Sequence, residues 1–132
     1  MSVALKYKTQ SGHNFDFLRE IKNAFRDDFF DWKINVSYYC ALHHVKSYLT
    51  FNGIPESDLN HHSKVYLQLD NFHGIPSGVS DAFFFLMNQC DSSRYAGFVK
   101  YHDFNKAMES SFGDCEKSLR IIRDNLNLSM IT

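Results

Sequence analysis

The sequence predicts an all-α fold, an up-down bundle of four to five helices. Three observations carry that prediction. Apolar residues recur at helical spacing through long segments, and no stretch alternates in the way of a half-buried strand. The tripeptide Gly-Ile-Pro occurs twice, at 53–55 and 74–76, each time where a helical pattern ends. Such a stop places Gly in the left-handed position, lets Ile pack back on the helix, and uses Pro to prevent continuation. Finally, charge is uneven: residues 1–33 carry 11 charged side chains and residues 100–132 carry 10, against 8 in the 66 residues between. A charge-poor middle marks elements buried by outer, amphipathic ones.

Residues 1–13 read as an N-terminal extension and 14–132 as a single helical bundle domain. The first helix is expected from Asn14, a suitable N-cap, to Asp27, with Phe15, Leu18, Ile21 and Phe25 on one face. A second, from Asp31 to Asn52, holds Trp32, Val36, Tyr39, Cys40, Leu42, Tyr48 and Leu49 and is apolar nearly all round, the mark of a central helix. The third spans Asn60 to Phe72, with Val65, Leu69 and Phe72. The fourth spans Ser80 to Tyr95 and contains Phe83-Phe84-Phe85-Leu86-Met87. The last has the cleanest pattern: Tyr101, Phe104, Met108, Phe112, Cys115, Leu119, Ile122 and Leu126 are three or four residues apart throughout. The short links favour antiparallel neighbours.

Composition narrows function mainly by exclusion. With 132 residues, 44% of them hydrophobic, the chain is long enough for a proper core. A net charge of −1 argues against a generic nucleic-acid coat or a basic membrane binder. Lys6 and Lys8 are followed by polar residues with no apolar signal core, and no run of about 18 apolar residues exists, so a cytoplasmic chain without a membrane segment is expected. Cys40, Cys90 and Cys115 form no C-x-x-C pair and read as reduced, packed thiols. Seven histidines are present, but no H-x-x-x-H, and adjacent helical residues point about 100° apart, so neither metal nor cofactor is expected. Phosphate-loop motifs are missing.

One constellation carries chemistry. If the second helix runs up, the third down and the fourth up, one end of the bundle gathers Tyr48, His61, His62, Lys64, Arg94, Tyr95, Lys100, Tyr101 and His102. Helix N-termini at that end add partial positive charge suited to a phosphate. Arg94, Tyr95, His61, Lys64 and Tyr48 are the candidate ligand-binding residues. The competing role for Arg94 is to cap helix carbonyls and hold the linker. His43, lower on the second helix, reads as a hydrogen-bonded core histidine.

From Asp31-Trp32 through Tyr38-Tyr39-Cys40-Ala41-Leu42-His43 to Tyr48-Leu49, the sequence resembles the HEPN domain family. The resemblance continues at Asn60-His61 and at Ser93-Arg94-Tyr95, and covers residues 14 to 126 through short, degenerate motifs. It implies an all-helical bundle, frequent homodimers, and association with nucleotidyltransferase partners or with toxin–antitoxin and defence systems. Many members are metal-independent ribonucleases with an R-x4–6-H motif. Here seven residues separate Arg94 from His102, and Tyr95 replaces the polar residue that often follows the Arg.

The expected function is therefore a non-catalytic HEPN-like domain that binds a nucleotide, RNA or a partner protein. The alternatives are an endoribonuclease using Arg94 and His102, and a purely structural interaction module. A symmetric homodimer is expected as well. Phe83, Phe84 and Phe85 cannot all face one core, so at least one should reach the surface, with Phe29 or Phe30 as companions, unless residues 1–13 cover it.

Overall fold

The computed structural model describes residues 2–132. It is 77% helical, with no strand among the described residues. The five helices are α1 (Val3–Ala24), α2 (Phe30–Phe51), α3 (His62–Asp70), α4 (Ser77–Tyr95) and α5 (Tyr101–Asn125), and a 3₁₀ turn (Glu56–Leu59) precedes α3. The all-α class is as the spacing predicted.

Helix α1 starts eleven residues before the expected Asn14. Ser2 is its N-cap, with Oγ accepting the N–H of Leu5 at 3.1 Å. Residues 3–13 form the first turns of α1, and they pack on α2 through small and polar groups. Ser11 donates to the carbonyl of Cys40 at 3.0 Å, and Ser47 donates to that of Ala4 at 2.7 Å. Asn14, far from capping anything, donates sideways to the Tyr39 carbonyl at 3.3 Å.

The first Gly-Ile-Pro stop closes α2 as its chemistry requires. Gly53 has φ +97°, its N–H bonds the Thr50 carbonyl at 3.2 Å, and the Ile54 N–H reaches Leu49 at 3.0 Å. The second acts later than expected: α3 ends at Asp70, and Gly74 (φ +91°) turns the chain three residues beyond its Asn71 cap.

Helix α2 is the hub, with Ile34, Cys40, Ala41, Val45 and Leu49 fully buried. It runs antiparallel to α1, by the serine bonds above. It is also antiparallel to α4, since Phe83 lies beside Tyr38 and Cys90 Sγ donates to Asn35 Oδ1 at 3.0 Å. It is parallel to α5: Phe30 stacks near Phe112, and His44 Nε2 sits 2.6 Å from the Leu126 carbonyl. The expected course of the fourth helix is therefore corrected. After α2 the chain doubles back, Glu56 accepting from the Tyr7 hydroxyl at 2.6 Å, so α3 begins halfway down α2 and climbs again from Tyr38 towards Tyr48. Helix α4 then descends, and its C-terminus lies near the start of α2.

The α1–α2 link is held from inside. Lys33, 2% exposed, donates to the carbonyls of Phe25 and Arg26, the latter at 3.3 Å, and its ammonium lies 4.0 Å over the Phe30 ring. Phe29 takes a left-handed conformation (φ +59°), with its N–H bonded to the Tyr101 hydroxyl at 3.1 Å. Such a backbone costs about 1–3 kcal/mol at a bulky residue and persists only where its surroundings hold it.

Of the three consecutive phenylalanines, Phe83 is buried, Phe85 half-buried and Phe84 43% exposed. Of the expected companions, Phe30 is buried but Phe29 reaches the surface, 41% exposed and packed on Phe25 (5.0 Å), whereas Phe84 packs on Tyr66 (5.0 Å). The three thiols are free and buried, and burial pushes Cys40 and Cys115 up to about 12 and Cys90 to about 11.

Candidate functional site

The doubled-back segment after α2 decides where the polar residues meet. His61 is the N-cap of α3 and makes no side-chain capping bond, so the first N–H groups of this helix face outward. Beside them a shallow cavity of about 400 Å³ is lined by Asn60, His61, His62, Ser63, Met87 and Asp91. His62 is wedged edge-on against Tyr38 (5.2 Å) and Tyr39 (6.2 Å). From the last turn of α4, Arg94 donates to Asp91 at 2.9 Å and lies 5.2 Å from the Tyr95 ring.

Tyr38 lies behind His62, outside the lining of the cavity. It is 1% exposed, and its hydroxyl has no hydrogen-bond partner. Burial raises its pKa far above the usual phenol value, the neighbours Cys90, Tyr39 and Asp91 adding to the rise and Arg94 opposing it. Its ring is flanked by His62 of α3 and by Phe83 of α4, the latter at 5.8 Å. An unpaired buried hydroxyl costs about 1–3 kcal/mol. His62 is held below the usual imidazole value, first by burial, then by Lys46 and Arg94, so it is neutral around pH 7 and presents one donor and one acceptor.

The expected gathering is only partly realised. His61, His62, Arg94 and Asp91 share one neighbourhood, and Lys64 is exposed in the first turn of α3. Tyr48 does not join them. It packs on Phe72 at 6.0 Å and against the small cluster of Ala4, Leu128 and Ile131 at the opposite end of α2. Tyr101 braces Phe29, and His102 is exposed in the first turn of α5. Tyr95, 78% exposed, is free to meet a ligand. No hydrogen bond joins Arg94 and His102 among the described residues.

Of the two neighbouring histidines the more buried is His44, 8% exposed and bonded to Leu126, while His43, expected as a hydrogen-bonded core histidine, is hydrogen-bonded but half-buried. The helical stripe Ser37, Ala41, His44, Ser47, all buried, carried that signal. His43 instead belongs to a polar chain along α1 and α2: its Nδ1 lies 2.9 Å from the Tyr39 carbonyl and 3.2 Å from Asn14 Nδ2, and its ring 6.0 Å from Tyr7. Burial and the bond to Glu56 raise the Tyr7 hydroxyl to about 12. A helix start expected at Asn14 hid this chain.

Among the described residues, no three His, Cys, Asp or Glu side chains are placed to hold a metal ion, and no helix is long and apolar enough to cross a membrane. The profile of the HEPN domain family matches residues 15–128. No curated protein and no solved structure matches the chain significantly.

Proposed function

The chain belongs to the HEPN domain family, and from that premise we propose that it holds a phosphate-bearing ligand, a nucleotide or a stretch of RNA, at the start of α3 without cleaving it. The observation that carries this reading is the unpartnered hydroxyl of Tyr38 beneath His62. A buried polar group without a partner needs a reason, and here the surroundings suit an anion. The uncapped start of α3 and the two histidines line the cavity beside it, Arg94 stands one turn on from Asp91, and a helix N-terminus favours negative charge. Tyr95 offers an aromatic face to a base.

Catalysis is the weaker reading. A base and its electrostatic partner must reach the same reacting atoms. Arg94 is engaged by Asp91, and His102 stands on another helix with no bond to it. The same reading has the chain pair with a second copy through the exposed Phe84 and its neighbour Tyr66.

The test is calorimetric titration with nucleoside phosphates and an oligoribonucleotide, beside RNA cleavage in EDTA. Binding weakened about tenfold by Arg94→Ala, with intact RNA, is the expected result. Equal binding by wild type and variant would remove the site. A variant changed only in stability would point to a structural module, and cleavage lost in His102→Ala would establish a ribonuclease instead.

A further inference from the structure

Helices α1 and α5 both pack on α2 and meet each other through side chains such as Arg123 over the Phe15 ring (4.1 Å), Lys22 over the Phe112 ring (5.8 Å) and the Lys22–Glu116 ion pair. A groove is left between them. It consists of a cavity of about 770 Å³ and a second of about 320 Å³, both lined by Lys22 and Glu116. Along α1 it runs from Gly12 to Asn23, about 17 Å at 1.5 Å per residue, or three helical turns.

Two features set this groove apart. The chain has five arginines, and four of them, Arg19, Arg26, Arg120 and Arg123, line it. Arg19 is paired with Asp16, whereas Arg26, Arg120 and Arg123 make no ion pair among the described residues. Arginine is the cation suited to bidentate recognition of carboxylates and phosphates. The groove also has a glycine on each wall, Gly12 inside α1 and Gly113 inside α5. Each costs its helix about 1 kcal/mol relative to Ala. A Cβ at either would meet nothing within 4 Å, so nothing inside the chain demands a glycine.

We propose that the α1–α5 groove is a docking site for an acidic amphipathic helix of a partner protein. The bare backbone at Gly12 and Gly113 lets a helix approach closely. Phe15, half-buried on the α1 wall, receives its apolar stripe, and the unpaired arginines take carboxylates on its flanks. Asp16 and Glu116 on the same walls are already paired with Arg19 and Lys22, and a phosphate backbone is the rival occupant that the test must separate. The site is separate from the one at α3 and does not depend on it.

The test uses the full chain, isotope-labelled, and three stapled 14-residue helical peptides that share a Leu stripe and differ only in flanking Glu, Lys or Gln. A short oligouridylate is the fourth probe. The Glu peptide should shift the amides of Gly12 and Gly113 and bind at least about tenfold more tightly than the other two. The double variant Arg120→Glu, Arg123→Glu should reverse the preference towards the Lys peptide. Gly12→Leu should abolish binding with the helical spectrum intact, and Gly113→Leu serves if that variant fails to fold; Arg94→Ala should leave it unchanged. Equal binding of the three peptides, shifts confined elsewhere, no shift at millimolar peptide, or the oligouridylate displacing the Glu peptide would each overturn the proposal. So would groove shifts that follow the protein's own concentration, which would make a second copy the occupant.

Discussion

Replacing Tyr38 with Phe removes one oxygen and leaves the ring packed against Tyr39 (5.4 Å), His62 (5.2 Å) and Phe83 (5.8 Å). Because the hydroxyl is buried without a partner, its loss removes a desolvation penalty of about 1–3 kcal/mol and creates no cavity of consequence. The free protein should therefore gain at least about 1 kcal/mol, raising Tm by about 3–5 °C for a chain of this size. Ligand binding should move the other way. If a phosphate oxygen pairs with the hydroxyl, losing that bond, worth about 0.5–1.5 kcal/mol, weakens binding about two- to tenfold. Urea unfolding followed by circular dichroism, with and without nucleotide, measures both terms. A Tyr38→Phe variant about 1 kcal/mol less stable than wild type would mean that the hydroxyl is already satisfied in the free protein, and the argument from it would fail.

Other perturbations probe the frame. Gly53→Ala should destabilise by about 1–2 kcal/mol through the left-handed backbone alone, since its Cβ would meet nothing within 4 Å; a urea midpoint unchanged from wild type would contradict this. His43, His44 and His62 are all held below the usual imidazole value, chiefly by burial. The unfolded chain takes up their protons before the folded protein does. Stability is thus complete above about pH 6.5 and declines as pH falls below it, which midpoints at about pH 7.5 and about pH 5.5 will show. Phe84→Asp should convert a dimer into a monomer by light scattering without loss of helix. A wild-type chain that stays at 15.4 kDa on concentration would refute the pairing.

The sequence revealed the helices better than their directions. Helix α5 was legible because Phe112, Cys115, Leu119 and Ile122 keep one apolar stripe, and all four are buried. The first turns of α1 were not, since Ala4 and Ser11 meet α2 as closely as larger residues would and leave no apolar signature. The descent of α4 depended on the stretch after Gly53 doubling back, a matter of one contact between Tyr7 and Glu56 across 49 positions. That reversal took Tyr48 away from Arg94 and kept His62 near it. The unpartnered hydroxyl behind His62 was beyond reach for a different reason. Tyr38 lies in an apolar helix like any core aromatic, and only three dimensions show its hydroxyl without a partner. Lys33 is a parallel case, a charge on a helix that periodicity assigns to the interior, explained once its ammonium is found at the carbonyls ending α1.

The three buried thiols have a kinetic consequence. Cys40, Cys90 and Cys115 sit one each on α2, α4 and α5. Each is protonated and screened from solvent, so none can attack a disulfide reagent until its own helix opens. Reaction rates at the three positions then become three clocks, one per core helix. If the bundle opens as one body they will keep the same time. If α4 and α5 peel away while α2 holds, Cys90 and Cys115 will run ahead of Cys40, and the order of disassembly will be written in which sulfur is labelled first.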